Sequence, residues 1–412
     1  MKLLRAPKLL TGRPDEVILD AEVLVDGVLI KGVGPRGSQD ASGAEVVELE
    51  GCTLMPGMVD AHVHLGFDRD VNPTTKKSTE TDSHLLLRMA ENARKLLSAG
   101  VTTARDLGGR DFLEVELRDA IDAGLAVGPH LVVATRPITN TGGHCWYMGG
   151  EADDADGIRR VARENLRAGA DCLKVMATGG AMTPVGPPAW RAQWTSTEIL
   201  AAVEEAATRG KFVAAHAHGT EGIKNAALAG VRTIEHCSFA VEGAGSPFAR
   251  EVDMEVVALI AERGVYVCPT VNAVVWQMDE RFGPGVFGNL VDRLAKMRAA
   301  GVKLIAGTDC GFGMRGIENR MDGYLRGLEV FAAAGWDNAS VIEAATTLAA
   351  EAIGVGELTG SLDAGKQADL IALRGDPLAR LGDLCNLELV MVSGRCVTQS
   401  HVETTNASVW VP

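Results

Sequence analysis

Between residues 57 and 354, short apolar runs alternate with amphipathic windows eight times, and few folds accommodate that rhythm. The runs Gly57–His64, Val101–Asp106, His130–Thr135, Cys172–Ala177, Phe212–His216, Thr233–His236, Val265–Thr270 and Leu304–Asp309 read as buried strands. The windows Asp82–Leu97, Gly157–Ala168, Thr197–Arg209, Gly222–Ala229, Asp253–Arg263, Leu290–Ala299, Met321–Ala334 and Asn338–Gly354 carry apolar residues at three- and four-residue spacing, as helices packed on a core do. Several joints read SAG, RAG, TRG, LAG, ERG or AAG, placing Gly where a helix ends in the left-handed conformation. Strands alternating with helices predict an α/β fold with a parallel sheet, and the eightfold count predicts a (β/α)8 TIM-like barrel. An open doubly wound sheet predicts no such count and usually a phosphate-binding loop. DAGKQAD around Lys366 lacks that loop's GxxxxGK[ST] pattern and reads as a turn.

The ends of the chain have a different texture. VILDAEVLVDG, VLIKGVGP and AEVVELEGCTLMPG near the start, and ADLIALRGDP, LELVMVSGRCVTQ and TNASVWVP near the end, alternate apolar with polar positions. These segments predict an antiparallel module, a small β-sandwich built from residues 1–55 and 357–412, with 56–356 forming the barrel. A net charge of -14 argues against nucleic acid or an anionic membrane as the main partner, since both favour a basic face, and leaves a small molecule. No apolar run approaches the roughly 20 residues that span a bilayer. The opening MKLLRAPKLLTGRPDE lacks the ~7–15-residue apolar region of a secretory signal. The eight cysteines include no CxxC, as expected of reduced thiols in a cytoplasmic protein.

The placement of the histidines is the most informative chemical feature. In PGMVDAHVHL, His62 and His64 are one residue apart, so on a strand both point to one face, at the carboxyl end where barrel enzymes assemble their sites. FVAAHAHG and RTIEHCS place His216 and His236 at the ends of the fifth and sixth predicted strands, and LIAGTDCG places Asp309 at the end of the eighth. A single histidine at such a place is an ordinary hydrogen-bonded rim residue; four on one rim, with a carboxylate, are a metal-ligand set. Lys174, between Leu173 and Val175 in DCLKVMATGG, points opposite to those apolar neighbours and into the interior. Burying an unpaired ammonium is very costly, so the amine is paired, snorkels to solvent, or is converted by carbon dioxide to an N-carboxylate able to bridge two metals.

Together these residues resemble the amidohydrolase superfamily. The match rests on residues 56–65, Lys174, His216, His236, Asp309 and GSLDAGKQADLIALRGDP at 360–377, and extends over essentially the whole chain. GGH (142–144), LKVMATGG, HAHGTEGI (216–223) and TIEHCSF (233–239) are similar to its imidazolonepropionase-like branch of dipeptidases, carboxypeptidases, ochratoxin-type amidases and phenylurea hydrolases. The resemblance implies two divalent ions, zinc first with manganese, iron or cobalt as alternatives. His62, His64 and Asp309 then hold the more buried ion, His216 and His236 the more exposed one, and carboxylated Lys174 bridges both. A metal-bridging hydroxide attacks an amide or peptide bond of a dipeptide or N-acyl amino acid, and Asp309 moves the proton. Cyclic amides, phenylureas and carbamates are the alternative substrates. A non-catalytic scaffold, disfavoured because every ligand is present, and a mononuclear deaminase-type site, disfavoured by Lys174, are the remaining alternatives; relatives of this kind are commonly homo-oligomers.

By the same resemblance His144 contacts the substrate carbonyl. His218, where prolidase-like relatives carry a tyrosine, either contacts a substrate carboxylate or lies behind the site. Trp146, Tyr147, Trp190 and Trp194 are candidates to wall the pocket, and Arg191 and Arg315 to meet a carboxylate. Cys145, Cys237 and Cys310 read as packing residues. His84, His130 and His401 show no partner pattern and read as structural.

Overall fold

The computed structural model describes residues 1–67, 80–183, 185–243, 251–310, 313–314, 317–318 and 323–397. Arg315, Met321, His401 and the segment TNASVWVP, all considered above, lie outside the described residues.

Two parallel sheets form the centre. One orders the strands Met58–Val63, Val101–Asp106 and His130–Val133; the other orders Tyr266–Cys268, Thr233–Ala240, Val213–Gly219 and Leu173–Met176. Backbone bonds link them on both sides. Ile138 N donates to Lys174 O and Met176 N to Ile138 O on one side. On the other, the extended segment from Leu304 to Cys310 lies between Val267 and His62: Ile305 N donates to Val267 O, Ala61 N to Ala306 O and Asp309 N to His62 O. That segment pairs through isolated bridges at Leu304 and Cys310 in place of the continuous strand expected over Leu304–Asp309.

The helices between these strands start and stop for local reasons. Thr81, Asp154, Thr195, Asp253 and Asp337 accept backbone N–H bonds from the first turns of their helices, and Thr195 with Glu198 completes a reciprocal capping box. All six expected terminating glycines, 100, 169, 210, 230, 264 and 301, have positive φ. Two expectations need correction. A helix the sequence reading missed, Leu113–Asp122, follows the second central strand; its buried face carries Glu114, so alternating Leu113, Val115 and Leu117 mask the helical period. The single window Asn338–Gly354 is two helices, Asn338–Ala344 and Thr347–Ala352, broken at Ala345 and Thr346.

Both ends of the chain join one eight-stranded sheet. It runs Arg395–Val397, Leu387–Val392, Leu370–Arg374, Cys52–Pro56, Lys2–Leu10, Val17–Asp26, Leu29–Pro35, with Glu45–Glu48 also beside Lys2–Leu10. The expected antiparallel pairing holds for Val17–Asp26 with Lys2–Leu10 and Leu29–Pro35, for Leu370–Arg374 with Cys52–Pro56 and Leu387–Val392, and for Leu387–Val392 with Arg395–Val397. The exception is Lys2–Leu10, which also pairs in parallel with both Glu45–Glu48 and Cys52–Pro56. Leu4, Leu9, Val23, Ile30, Leu54, Leu370 and Met391 share one apolar cluster, so residues from both termini bury each other. All eight cysteines are free thiols, and no helix among the described residues is long and apolar enough to cross a membrane.

Candidate active site

The carboxyl ends of the central strands bring His62, His64 and Asp309 together. His62 Nε2 and His64 Nε2 are 3.4 Å apart, and each is 3.5 Å from Asp309 Oδ1. Ligand atoms held at about 2.0–2.1 Å around a tetrahedral centre are separated by about 3.4 Å, so this triplet fits a metal ion without rearrangement. The opposite ring nitrogens are committed: His62 Nδ1 is 2.8 Å from Glu235 Oε2, and His64 Nδ1 is 2.9 Å from Gly108 O. Those bonds fix the tautomer that leaves Nε2 free for a cation. Phe67 stacks on the His64 ring at 4.6 Å between centroids and limits its rotation.

A second group forms beside it. The rings of His216 and His236 lie 4.5 Å apart, and His236 is 5.3 Å from His62. His216 Nε2 bonds to Gly179 O at 3.0 Å and His236 Nδ1 to Thr270 Oγ1 at 2.8 Å, leaving one nitrogen of each available. His218 joins them: His216, His218 and His236 can each offer a ligand atom, all within 4.8 Å of one another. Backbone strain sets part of this geometry. His236, Cys237, Phe239, Thr270 and Asp309 all adopt positive φ, a conformation that costs side-chain-bearing residues of order 1–3 kcal/mol each and clusters at functional sites.

Lys174 is 1% exposed, and among the described residues it forms no ion pair. Burial pulls its ammonium below lysine's ordinary value, against the opposing pull of Glu235 and Asp309. Burial is also the leading cause that keeps the histidines neutral, with Lys174 adding repulsion: His64, His144 and His218 fall to about 3, and His62, His216 and His236 well below the usual range. Neutral imidazoles are the form that binds metal. Burial raises the Asp309 carboxyl to about 7. A concentrated set of imidazoles, one buried amine and a carboxylate that exchanges protons near neutrality is suited to metal-assisted hydrolysis.

These features agree with what the chain is similar to. Residues 53–397 match the model of the amidohydrolase family. The chain belongs to that family. It is an enzyme that hydrolyses C–N bonds. The amidohydrolase is 31% identical over 366 residues to the ochratoxinase of Aspergillus niger, covering 79% of this chain and 71% of that one. It is similar to the crystal structure of a Xaa-Pro dipeptidase with methionine in the active site, at TM-score 0.82 and 27% identity, covering 96% of this chain and 99% of that one. Phenylurea hydrolase B, at TM-score 0.82, 19% identity and 97% coverage of both chains, shares the fold.

The remaining predicted site residues separate into those near the histidines and those away from them. His144 is buried, its ring 4.5 Å from that of His216, with Nδ1 3.0 Å from Thr183 Oγ1 and its backbone N–H on Gln193 Oε1. Gly180 is required there: a Cβ on it would sit 2.4 Å from His144 Nε2. His218 Nδ1 is 2.8 Å from Ser238 Oγ. Tyr147 is buried in a small cluster with Cys145, Met148 and Met176, its hydroxyl on Cys145 Sγ, whereas Trp146 is exposed. Trp194 is buried in the main core, Trp190 is half-buried and Arg191 is exposed. Arg315 lies outside the described residues. Cys145, Cys237 and Cys310 are buried, with thiols pushed up by burial.

Sequence reasoning missed Glu235 and Arg105. Both are fully buried; Glu235 accepts bonds from His62 Nδ1, from Arg105 at 2.9 Å and from Thr233 Oγ1, while Arg105 also donates to Ala61 O. Strict strand alternation sends Glu235 to the face opposite His236. The left-handed φ of 69° at His236 breaks the alternation and lets both face the site. The available signal was chemical: Arg105 in TTARD and Glu235 in TIEHC are charges inside apolar strands, and each needs a partner. Asp60, also missed, accepts from His62 N, Thr308 N and Thr308 Oγ1 and so locks the segment that carries Asp309 against the first strand.

Proposed function

We propose that the protein is a binuclear metal-dependent amidohydrolase that cleaves an amide or peptide bond of a dipeptide or N-acyl amino acid. The observation that carries this reading is the donor set: His62, His64 and Asp309 at mutual distances of 3.4–3.5 Å, with His216 and His236 beside them. Lys174 completes it in carboxylated form, as a carboxylate shared by the two groups. The two parallel sheets, linked at both edges, form a (β/α)8 barrel over residues 56–356, and 1–55 with 357–412 form the accessory module. When bound, two divalent ions, zinc first, polarise the scissile carbonyl and lower the pKa of water.

The chain's own residues do the rest. Glu235 and Gly108 O hold His62 and His64 in register. Asp309, beside His62 and His64, takes up a proton as the tetrahedral carbon forms and returns it to the departing nitrogen. His144, fixed by Thr183 and packed on Gly180, faces the carbonyl oxygen, and Tyr147 supports the loop behind it. The dipeptidase and ochratoxinase relatives support an amide or peptide substrate; phenylureas, carbamates and cyclic amides are the second reading, supported by a shared fold with a phenylurea hydrolase.

The test pairs metal content with product release. Protein grown with zinc and bicarbonate is expected to hold two ions per chain and to release amino acids from a mixed dipeptide and N-acyl amino acid library; Lys174→Ala is expected to lose hydrolysis and fall below two ions. Two ions in the wild type with no release move the substrate to ureas, carbamates or lactams. A wild type holding one ion or none overturns the binuclear reading.

A further inference from the structure

We infer that Thr183 is a positioning residue for the hydrolysis: its hydroxyl donates to His144 Nδ1, places the ring's one hydrogen on Nε2, and so makes His144 a neutral hydrogen-bond donor to the scissile carbonyl oxygen. The inference rests on the role proposed for His144 above, and adds the direction of its hydrogen bond and the residue that sets it.

The direction follows from counting hydrogens around one oxygen. Thr183 Oγ1 lies 3.0 Å from His144 Nδ1 and accepts from Cys145 N at 2.8 Å. Thr183 is buried, and among the described residues its hydroxyl meets no carbonyl or carboxylate. The hydrogen it carries has two acceptors within reach, His144 Nδ1 and the Cys145 thiol. A thiol sulfur accepts only weakly, and that of Cys145 already takes the Tyr147 hydroxyl at 3.6 Å. The imidazole nitrogen is the better acceptor. If Nδ1 carried a hydrogen instead, in a neutral ring or in an imidazolium, Thr183 Oγ1 would receive two N–H bonds and its own hydrogen would face only sulfur. A buried donor left in that state destabilises the arrangement, and the opposite direction avoids it.

The surroundings keep Nε2 for another partner. Among the described residues His144 hydrogen-bonds through Nδ1 and not through Nε2. A Cβ on Gly180 would lie 2.4, 2.5 and 2.8 Å from His144 Nε2, Cε1 and Cδ2, so Gly180 packs on the face of the ring and does not block the in-plane direction of an Nε2 hydrogen. The backbone is fixed as well: His144 N donates to Gln193 Oε1 at 2.8 Å, and Gln193 Nε2 donates to Met176 O at 2.6 Å, on the strand that carries Lys174. A neutral imidazole held in this way donates to a carbonyl oxygen, and more strongly to the oxyanion that forms from it, without giving up its proton. Proton movement stays with Asp309.

The experiment reads the tautomer directly, by nitrogen NMR of zinc-loaded protein isotopically labelled at histidine; the His144 signals are those lost in His144→Gln. We expect Nε2 protonated and Nδ1 unprotonated in the wild type, a measurement that stands even where a variant fails to fold. In Thr183→Val, which removes the hydroxyl and keeps the shape, both signals are expected to move towards the average of two exchanging tautomers, and Thr183→Ser is expected to restore the wild-type pattern. Thr183→Val should also lower kcat by at least about 10-fold with KM little changed, short of the ~10²–10³-fold cost of losing an oxyanion donor outright. Thr183→Ser should recover that loss, with metal content and circular dichroism as in the wild type for both variants. A protonated Nδ1 in the wild type overturns the inference, as does a Thr183→Val protein with the wild-type tautomer and kcat. A tautomer set as expected, in a protein whose kcat neither Thr183→Val nor His144→Ala changes, takes His144 out of the reaction and overturns the reading on which the inference rests.

Discussion

Replacing Glu235 by Gln tests how far the metal seat and the fold depend on the same atoms. Glu235 Oε2 faces His62 Nδ1 at 2.8 Å, while Oε1 accepts from Arg105 at 2.9 Å and from Thr233 Oγ1 at 2.5 Å. Each oxygen therefore meets donors only. An amide in the same place turns its NH2 either on His62 or on Arg105 and Thr233, and in both orientations leaves the Arg105 guanidinium, fully buried, without its counter-charge. Breaking a buried ion pair from one side costs about 3–5 kcal/mol. Loss of the carboxylate behind His62 also weakens metal binding there, by about 10–100-fold. Urea unfolding of the metal-free protein, followed by circular dichroism, reads the first effect, and competition with a chelator reads the second. Arg105→Met closes the cycle: the double variant should be less destabilised than the sum of the single ones, because it buries no lone charge. A loss below about 1 kcal/mol, the scale of an exposed pair, or strict additivity with Arg105→Met, would refute the argument.

Two further predictions concern other parts of the molecule. Gly180→Ala places a methyl group 2.4 Å from His144 Nε2, so the ring must retreat from Thr183; kcat/KM is expected to fall by about 100-fold with metal content unchanged, since a displacement near 1 Å can cost that much. A variant with full activity removes His144 from the proposed role. His130 Nε2 lies 3.2 Å from Asp369 Oδ1 and 3.1 Å from Ser393 Oγ, bridging a central strand to the terminal sheet; although burial opposes it, the bond to Asp369 raises the His130 pKa. A raised folded-state value means the protonated form stabilises the fold below the ordinary histidine pKa, and this contribution disappears as pH rises through the raised value. His130→Gln is thus expected to cost about 1 kcal/mol at pH 5.5, in line with a charged hydrogen bond at a partly exposed site, and much less at pH 9. Equal losses at both pH values would remove the charge from the account.

Much of the site could be read from the sequence because period and chemistry coincide there. His62, Lys174 and His216 lie on strands whose neighbouring residues are apolar, so the two-residue period alone turns them to the same interior. Glu235 escaped because a positive φ at His236 breaks that period, and φ is not visible in a residue name. The helix Leu113–Asp122 escaped because buried Glu114 interrupts its apolar stripe. The pairing of Lys2–Leu10 in parallel with Cys52–Pro56 was also hidden: alternation identifies a strand's faces but not its neighbour's direction. His130 was read as structural, and its partners, Asp369 and Ser393, come from the far end of the chain.

The terminal sheet also sets an order of events during synthesis. Thr53 Oγ1 bonds to Gly375 O across 322 residues, and Cys52–Pro56 lies between Lys2–Leu10 and Leu370–Arg374. At about 5–20 residues per second, roughly 15–65 s pass between the emergence of those two strands from the ribosome. For that interval the nascent chain presents an apolar strand with one ladder edge unpaired, while the central strands and helices that follow it are still being made. The last part of the sheet to close is the one made from the chain's two ends, and a nascent chain stalled before residue 370 displays an edge that another stalled copy can pair with.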